Sequence, residues 1–378
     1  VALRLAVIGA GAIGSAAALF LARDGHAVTV LEQFEIDHDQ GGSWGSSRII
    51  RKTYSDRLYT DLMKSAYPLW EELERDSGES LFVRTGGLFF GPSNHAEVMS
   101  AKEALEENQV PFEALDASAV SRRFPAFQLR DDELALYEHD AGFLRASACV
   151  RASLALARRA GAVIREQSQV SRLEPATNHV TVQLTGGESL EVDGVIVATG
   201  SWAQTFLRPF VSLPLVVSRQ TYCHFRPAAP QAFDVDRFPV WIDLASLFYG
   251  FPCSTQPPGV KVALHAHGVA TDPDSVDRVV RPADRAPLAE YCSGRFSGLS
   301  PEVLFEKVCL YANSPDEHFI VDHLAQDPRI VVFAGDSGHA FKFSVLLGRI
   351  VALMVCQEAV RWDVSRFALG RLGPITPS

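Results

Sequence analysis

Three glycines near the start of the chain, Gly9, Gly11 and Gly14, have the spacing G-x-G-x-x-G. Read as chemistry, that spacing makes a seat for a dinucleotide. The first glycine permits a tight turn, the second lets a pyrophosphate reach the backbone, and the third lets a helix pack closely on a strand. A helix starting there aims its unpaired N–H groups at phosphate oxygens. Glu32 lies about 20 residues further on, where a carboxylate holds ribose hydroxyls. Arg48 and Arg51 follow a polar stretch, D-H-D-Q-G-G-S-W-G-S-S over 37–47. A loop of that kind can line the far end of the cofactor. The plain alternative is a solvated loop with surface arginines.

The elements needed to position these residues are legible around them. An apolar run over 3–8 has the length of a buried strand, 15–23 is an Ala/Leu-rich helix, and 26–31 is a second strand ending at Glu32. Strand, glycine turn, helix and terminal acid together make the fingerprint specific. Beyond the loop, 59–75 patterns as an amphipathic helix, 82–91 as a strand with a glycine interruption, and 95–108 and 117–124 as helices. A helix over 144–160 leads to a strand over 162–173. A hairpin follows over 180–184 and 189–192, turning at Thr185-Gly186-Gly187. Residues 194–200 read as a buried strand ending in a small-residue turn. From 213 to 315 prolines are frequent and strands look antiparallel (220–226, 248–252, 259–267), with a helix over 282–293. A buried strand over 330–335 and a helix over 346–360 close the chain.

These elements imply an α/β fold with an α+β insertion. A discontinuous Rossmann-like domain takes 1–80, 144–212 and 316–378. A mostly antiparallel substrate domain takes 81–143 and 213–315. A cofactor domain in pieces, with the fingerprint at one end and a G-D strand at the other, favours FAD over a nicotinamide.

Composition excludes several classes. The 378 residues are 47% hydrophobic and 21% charged, with a formal net charge of −10, which argues against nucleic acid as a partner. No apolar stretch reaches the roughly 18 residues of a membrane span. The start lacks a basic segment and a cleavage site, so no signal peptide is expected. The 6 cysteines lack zinc or CxxC spacing, implying reduced thiols, a cytoplasmic location and no metal.

Four segments carry a family likeness: S-R-I-I-R at 47–51, Y-G-F-P at 249–252, C-L-Y-A-N-S-P-D-E-H-F-I-V-D at 309–322 and G-D-S-G-H-A-F-K-F at 335–343. In order and spacing the chain resembles the monomeric sarcosine oxidase, L-pipecolate oxidase and N-methyltryptophan oxidase family of FAD-dependent amine oxidases. The likeness implies that Cys309 is joined by a thioether to the flavin, and that Lys342 and Arg51 grip a substrate carboxylate. It places Arg48 beside the flavin, Lys261 near its N5 for oxygen reduction, His265 in the active site and Tyr249 on the substrate wall. Gly335, Gly338, His339 and Lys342 fall in the segment that holds the flavin ring. Ser43, Val170 and Gly200 complete the expected cofactor contacts.

The expected reaction is oxidation of a secondary α-amino acid to an imine, with O2 reduced to H2O2 by a monomeric enzyme. The chemistry requires a hydride acceptor that no side chain provides. Two departures bear on the substrate. Trp44 stands where the family usually has a histidine, so a titrating group gives way to a large aromatic. Asp336 and Ala340 replace a phenylalanine and a glycine. A bulkier or cyclic substrate is therefore expected. The G-R-I run at 348–350 resembles the branch that oxidises a cyclic imino acid in antibiotic biosynthesis. Two other readings compete. A nicotinamide-linked dehydrogenase would lack the strand over 194–200 and the late Gly335 segment, and a non-catalytic flavoprotein could tolerate Trp44.

Overall fold

The computed structural model of the chain describes residues 1–266 and 268–373. Strand Arg4–Ile8 runs in the middle of a six-stranded sheet, parallel to Ala27–Leu31 on one side and Gly194–Val197 on the other. Val163–Arg165 and Asp327–Ala334 extend the sheet in parallel, and Ile320–Leu324 closes one edge antiparallel. Strands far apart in sequence thus share one sheet. Their apolar runs follow from burial on both faces. One face is covered by helices Ala12–Arg23, Ala146–Arg159 and Ser344–Val355. The other carries the three antiparallel strands Val170–Pro175, Val180–Leu184 and Ser189–Val192, the predicted hairpin among them.

A nine-stranded sheet forms the second layer system. Val216–Pro227 pairs antiparallel with Pro258–Leu264 and with the fifteen-residue strand Leu299–Asn313. Val240–Asp243 and Gly87–Pro92 pair in parallel, joining the segment before residue 144 to the segment after 213. A small sheet, with Gly142–Leu144 between Arg48–Ile50 and Phe82–Arg84, sets the loop that carries the two arginines.

Several sequence expectations needed correction. The strand expected over 82–91 breaks at Gly86 (φ 70°) into pieces belonging to different sheets, and 162–173 breaks likewise near Gln167 (φ 52°). The strand expected over 259–267 is Pro258–Leu264; its expected last residue, His267, lies outside the described residues. The closing helix stops at Val355, five residues early, where Cys356 and Gln357 turn away. Gly348, singled out in the G-R-I run, has a packing explanation. A Cβ there would come within 2.5 Å of the Ala16 Cβ, so it lets the first and last long helices touch. Among the described residues no helix is long and apolar enough to cross a membrane.

Candidate cofactor and substrate site

The glycine turn is built as its spacing requires. Gly9 has φ 96°, and a Cβ on it would sit 2.5 Å from the Ala198 carbonyl oxygen; one on Gly14 would sit 1.9 Å from the Gly9 oxygen. Gly11 opens the helix, and the Ala12 N–H donates to Ser43 Oγ at 3.0 Å. The turn forms one wall of a cavity of about 470 Å³, which Glu32, Ser43, Trp44, Arg48, Val170, Gly200 and Gly338 also line. Gly14 packs behind the turn. Gly335, His339, Lys342 and Cys309 stand off the wall, although Leu310 and Tyr311 beside Cys309 reach it. A Cβ on Gly338 would lie 2.3 Å from the Tyr311 ring, so only glycine lets these two segments meet there. A cavity with the glycine turn and these segments on its wall fits a dinucleotide.

Glu32 is buried, with Oε2 accepting from Ala10 N–H at 2.8 Å and Oε1 from Phe34 N–H at 3.0 Å. Burial alone would raise its pKa; the His38 imidazole and the two amides outweigh it and hold the carboxyl below its usual range. Arg48 donates to the carbonyls of Gly42, Trp44 and Ser47, each at 2.8 Å, and so orders the loop as well as lining the cavity. The Trp44 ring carries the Lys307 ammonium at 4.1 Å, and Lys307 is paired with Asp39 at 2.5 Å. Asp336 accepts from Ala312 N–H (3.1 Å) and Gly338 N–H (2.9 Å), tying the strand of Cys309 to the turn before Lys342. Burial pushes its carboxyl up to about 6.

Two cations gather around Tyr54. Lys342 is 7% exposed and donates to Tyr54 OH and His339 O, both at 2.9 Å. The Arg51 guanidinium lies 4.0 Å from the Tyr54 ring centroid and 5.5 Å from that of Phe89, and its buried Nε has no partner. Burial pushes the Lys342 ammonium well below the usual lysine range, and Arg51 and Arg48 add to the effect. Burial likewise lowers His339, whose ring meets Tyr54 OH at 3.5 Å and Glu317 O at 3.0 Å.

A third buried cation lies among aromatic rings. Lys261, 5% exposed, donates to Ser47 O (3.2 Å) and Oγ (3.3 Å), and sits 4.4 Å over Tyr222 and 4.7 Å over Phe251. Burial and then Arg48 drive its pKa well down, with Cys309 acting in the opposite sense. Cys309 is half-buried on its long strand, opposite Gln220. Tyr249 OH meets Tyr311 OH at 3.2 Å, and the His265 ring lies 5.5 Å from that of Tyr311. Among the described residues none of Arg51, Lys261 and Lys342 is paired with a carboxylate.

Sequence reasoning passed over Tyr54, Tyr222 and Tyr311. Tyr311 stands inside the quoted C-L-Y-A-N segment, Tyr54 lies three residues past the end of S-R-I-I-R, and Tyr222 falls in the strand expected over 220–226.

The fold joins a glycine-turn cavity to a second sheet, with Lys342 and Lys261 buried and Arg51 half-buried, none of them paired with a carboxylate among the described residues. The chain matches the FAD dependent oxidoreductase (DAO) family over residues 4–354 and belongs to it. It is 35% identical over 373 residues to the monomeric sarcosine oxidase of Streptomyces avermitilis, covering 97% of each chain. It is 31% identical to the peroxisomal sarcosine oxidase of Homo sapiens, covering 97% of this chain and 95% of that one. The structure superposes with a TM-score of 0.86 on NikD, an unusual amino acid oxidase essential for nikkomycin biosynthesis, at 26% identity and 97% coverage of both chains. The protein is an FAD-dependent amine oxidoreductase, and the nicotinamide-linked reading falls away.

Proposed function

We propose that the protein oxidises a secondary α-amino acid, N-alkyl or cyclic, at the carbon beside nitrogen, with O2 as the acceptor and H2O2 as the second product. The observation that carries this reading is the Arg51–Lys342 pair, two cations bracketing Tyr54 and, among the described residues, neither paired with a carboxylate. Buried charges without partners are costly, and a substrate carboxylate would relieve both. Arg51 offers a planar fork and Lys342 a point charge, which together fix a carboxylate in position and direction. FAD in the cleft supplies the hydride acceptor. Tyr249 and Tyr311 offer flat rings with polar edges, suited to a five- or six-membered ring such as proline or pipecolate. An amine bound neutral keeps its lone pair, so no dedicated base is required. Lys261, when protonated, would place a positive charge where oxygen takes up electrons.

In this reading the flavin is linked to Cys309, and the enzyme acts as a cytoplasmic monomer. The similarity to NikD supports a second substrate reading, a cyclic imino acid tailored in secondary metabolism. Anaerobic mixing of the yellow protein with pipecolate, proline, sarcosine and N-methyltryptophan tests the proposal. At least one should bleach the flavin within seconds, and peroxide should form on admitting air. A carboxamide that bleaches it as fast as its acid would overturn the carboxylate clamp. Failure of every secondary amino acid would overturn the substrate class.

A further inference from the structure

Behind the two clamp cations lies a carboxylate that touches neither. Glu138 ends strand Glu133–Glu138 and is 1% exposed. Its oxygens accept from Lys52 N–H at 3.0 Å, from Thr53 N–H at 3.0 Å, from Thr53 Oγ1 at 2.8 Å and from Tyr67 OH at 3.4 Å. Lys52 and Thr53 are the two residues between Arg51 and Tyr54. A carboxylate is an acceptor only, with room for about four bonds, so its capacity is spent on this one turn and its nearest support. The Lys52 ammonium turns away to Asp140 at 2.8 Å, and among the described residues Arg51 donates to no carboxylate, its buried Nε having no partner.

The arrangement has a chemical logic. A carboxylate bonded directly to Arg51 would compete with an incoming substrate anion. One bonded to the following amides anchors the turn and leaves the guanidinium available. Burying it is tolerable because its lone pairs are met. Burial raises its pKa, with the Thr53 hydroxyl and the Lys52 amide acting against that rise. We propose that Glu138 is a positioning residue for the substrate carboxylate, holding the turn that sets Arg51 on the Tyr54 ring and the Tyr54 hydroxyl on Lys342. This rests on the clamp reading given above.

Two variants separate position from charge. Glu138→Asp keeps the charge but is one methylene too short to serve both amides, and Thr53→Val removes one donor at nearly constant volume. Cyclohexanecarboxylate, which has no amine to oxidise, is titrated into each holoenzyme beside cyclohexanecarboxamide, reading flavin difference spectra. The wild type should favour the acid. Glu138→Asp should lose about tenfold in acid affinity, the worth of one hydrogen bond to a charged group, with amide affinity unchanged. Thr53→Val should move the same way by less, and it decides alone if Glu138→Asp yields no holoenzyme. A wild type without preference for the acid overturns the clamp itself. A preference that survives in the folded variants, or a loss equal for both ligands, overturns the role of Glu138 and leaves the clamp standing.

Discussion

The Tyr54 hydroxyl lies 2.9 Å from the Lys342 ammonium, and the face of the same ring carries the Arg51 guanidinium at 4.0 Å. One side chain therefore spaces both cations. Burial pushes the Tyr54 phenol up to about 12, with Arg51 pulling the other way, so it serves Lys342 as a neutral acceptor.

Tyr54→Phe should keep the ring under Arg51 and remove the acceptor, leaving Lys342 only the His339 carbonyl. A hydrogen bond to a charged group is worth about 1.5–3 kcal/mol, which corresponds to a loss of at least tenfold in carboxylate affinity. Flavin content should not change. Spectral titration with cyclohexanecarboxylate checks it; undiminished affinity would mean that the ring alone does the spacing.

Lys261→Met should slow reoxidation of the flavin far more than its reduction. The amine is buried over two rings and, among the described residues, is bonded only to Ser47 and has no ion pair to maintain. Its remaining use is electrostatic, and removing one preorganised donor of this kind costs about 10²–10³ in rate elsewhere. Stopped-flow traces of the two half-reactions decide it. Equal slowing of both would show that the lysine holds the Ser47 backbone and nothing more.

Cys309→Ser should turn a linked flavin into an extractable one. Acid precipitation should leave colour in the wild-type pellet and move it to the supernatant in the variant. The thiol sits on the long strand whose next two residues reach the cavity wall. If wild-type colour also moves to the supernatant, the cofactor is held without a bond.

Much of this could be read from the chain because the decisive signals were local. The turn over Gly9–Gly14 announced itself by spacing, and the strands flanking it by mostly apolar runs, largely buried beyond their first residues. What escaped notice was non-local. Strand Leu299–Asn313 belongs to the second sheet, but its residues 302–307 are exposed or half-buried and alternation of burial starts only at Val308, so no clear two-residue period emerges over its length. Glu138 looked like any acidic residue near a turn. Only its pairing across 85 residues with Thr53 reveals that it is buried. Trp44 drew attention as a substitution, yet its partner Lys307 lies on that same distant strand.

The acid–base behaviour of Lys342 gives the last prediction. Burial, Arg51 and Arg48 all depress its pKa, so the empty site tends to release that proton. An anion arriving beside it favours the charged form and raises the pKa again. By linkage, binding a carboxylate must then take up protons between the depressed pKa of the empty site and the higher one of the occupied site. The sign is fixed: affinity falls as pH rises through that interval, which begins below the ordinary lysine range. Burial lowers the Arg51 pKa too, with Tyr54 and Glu138 acting against it, but a guanidinium starts so far above the lysine range that Lys342 titrates first. Cyclohexanecarboxylate avoids any titration of a substrate amine. Calorimetry in two buffers of different ionisation enthalpy should register proton uptake in the wild type, and none beyond background in Lys342→Met, whose weaker affinity should be flat with pH. Equal slopes in the two proteins would place the titrating group elsewhere and remove Lys342 from the clamp.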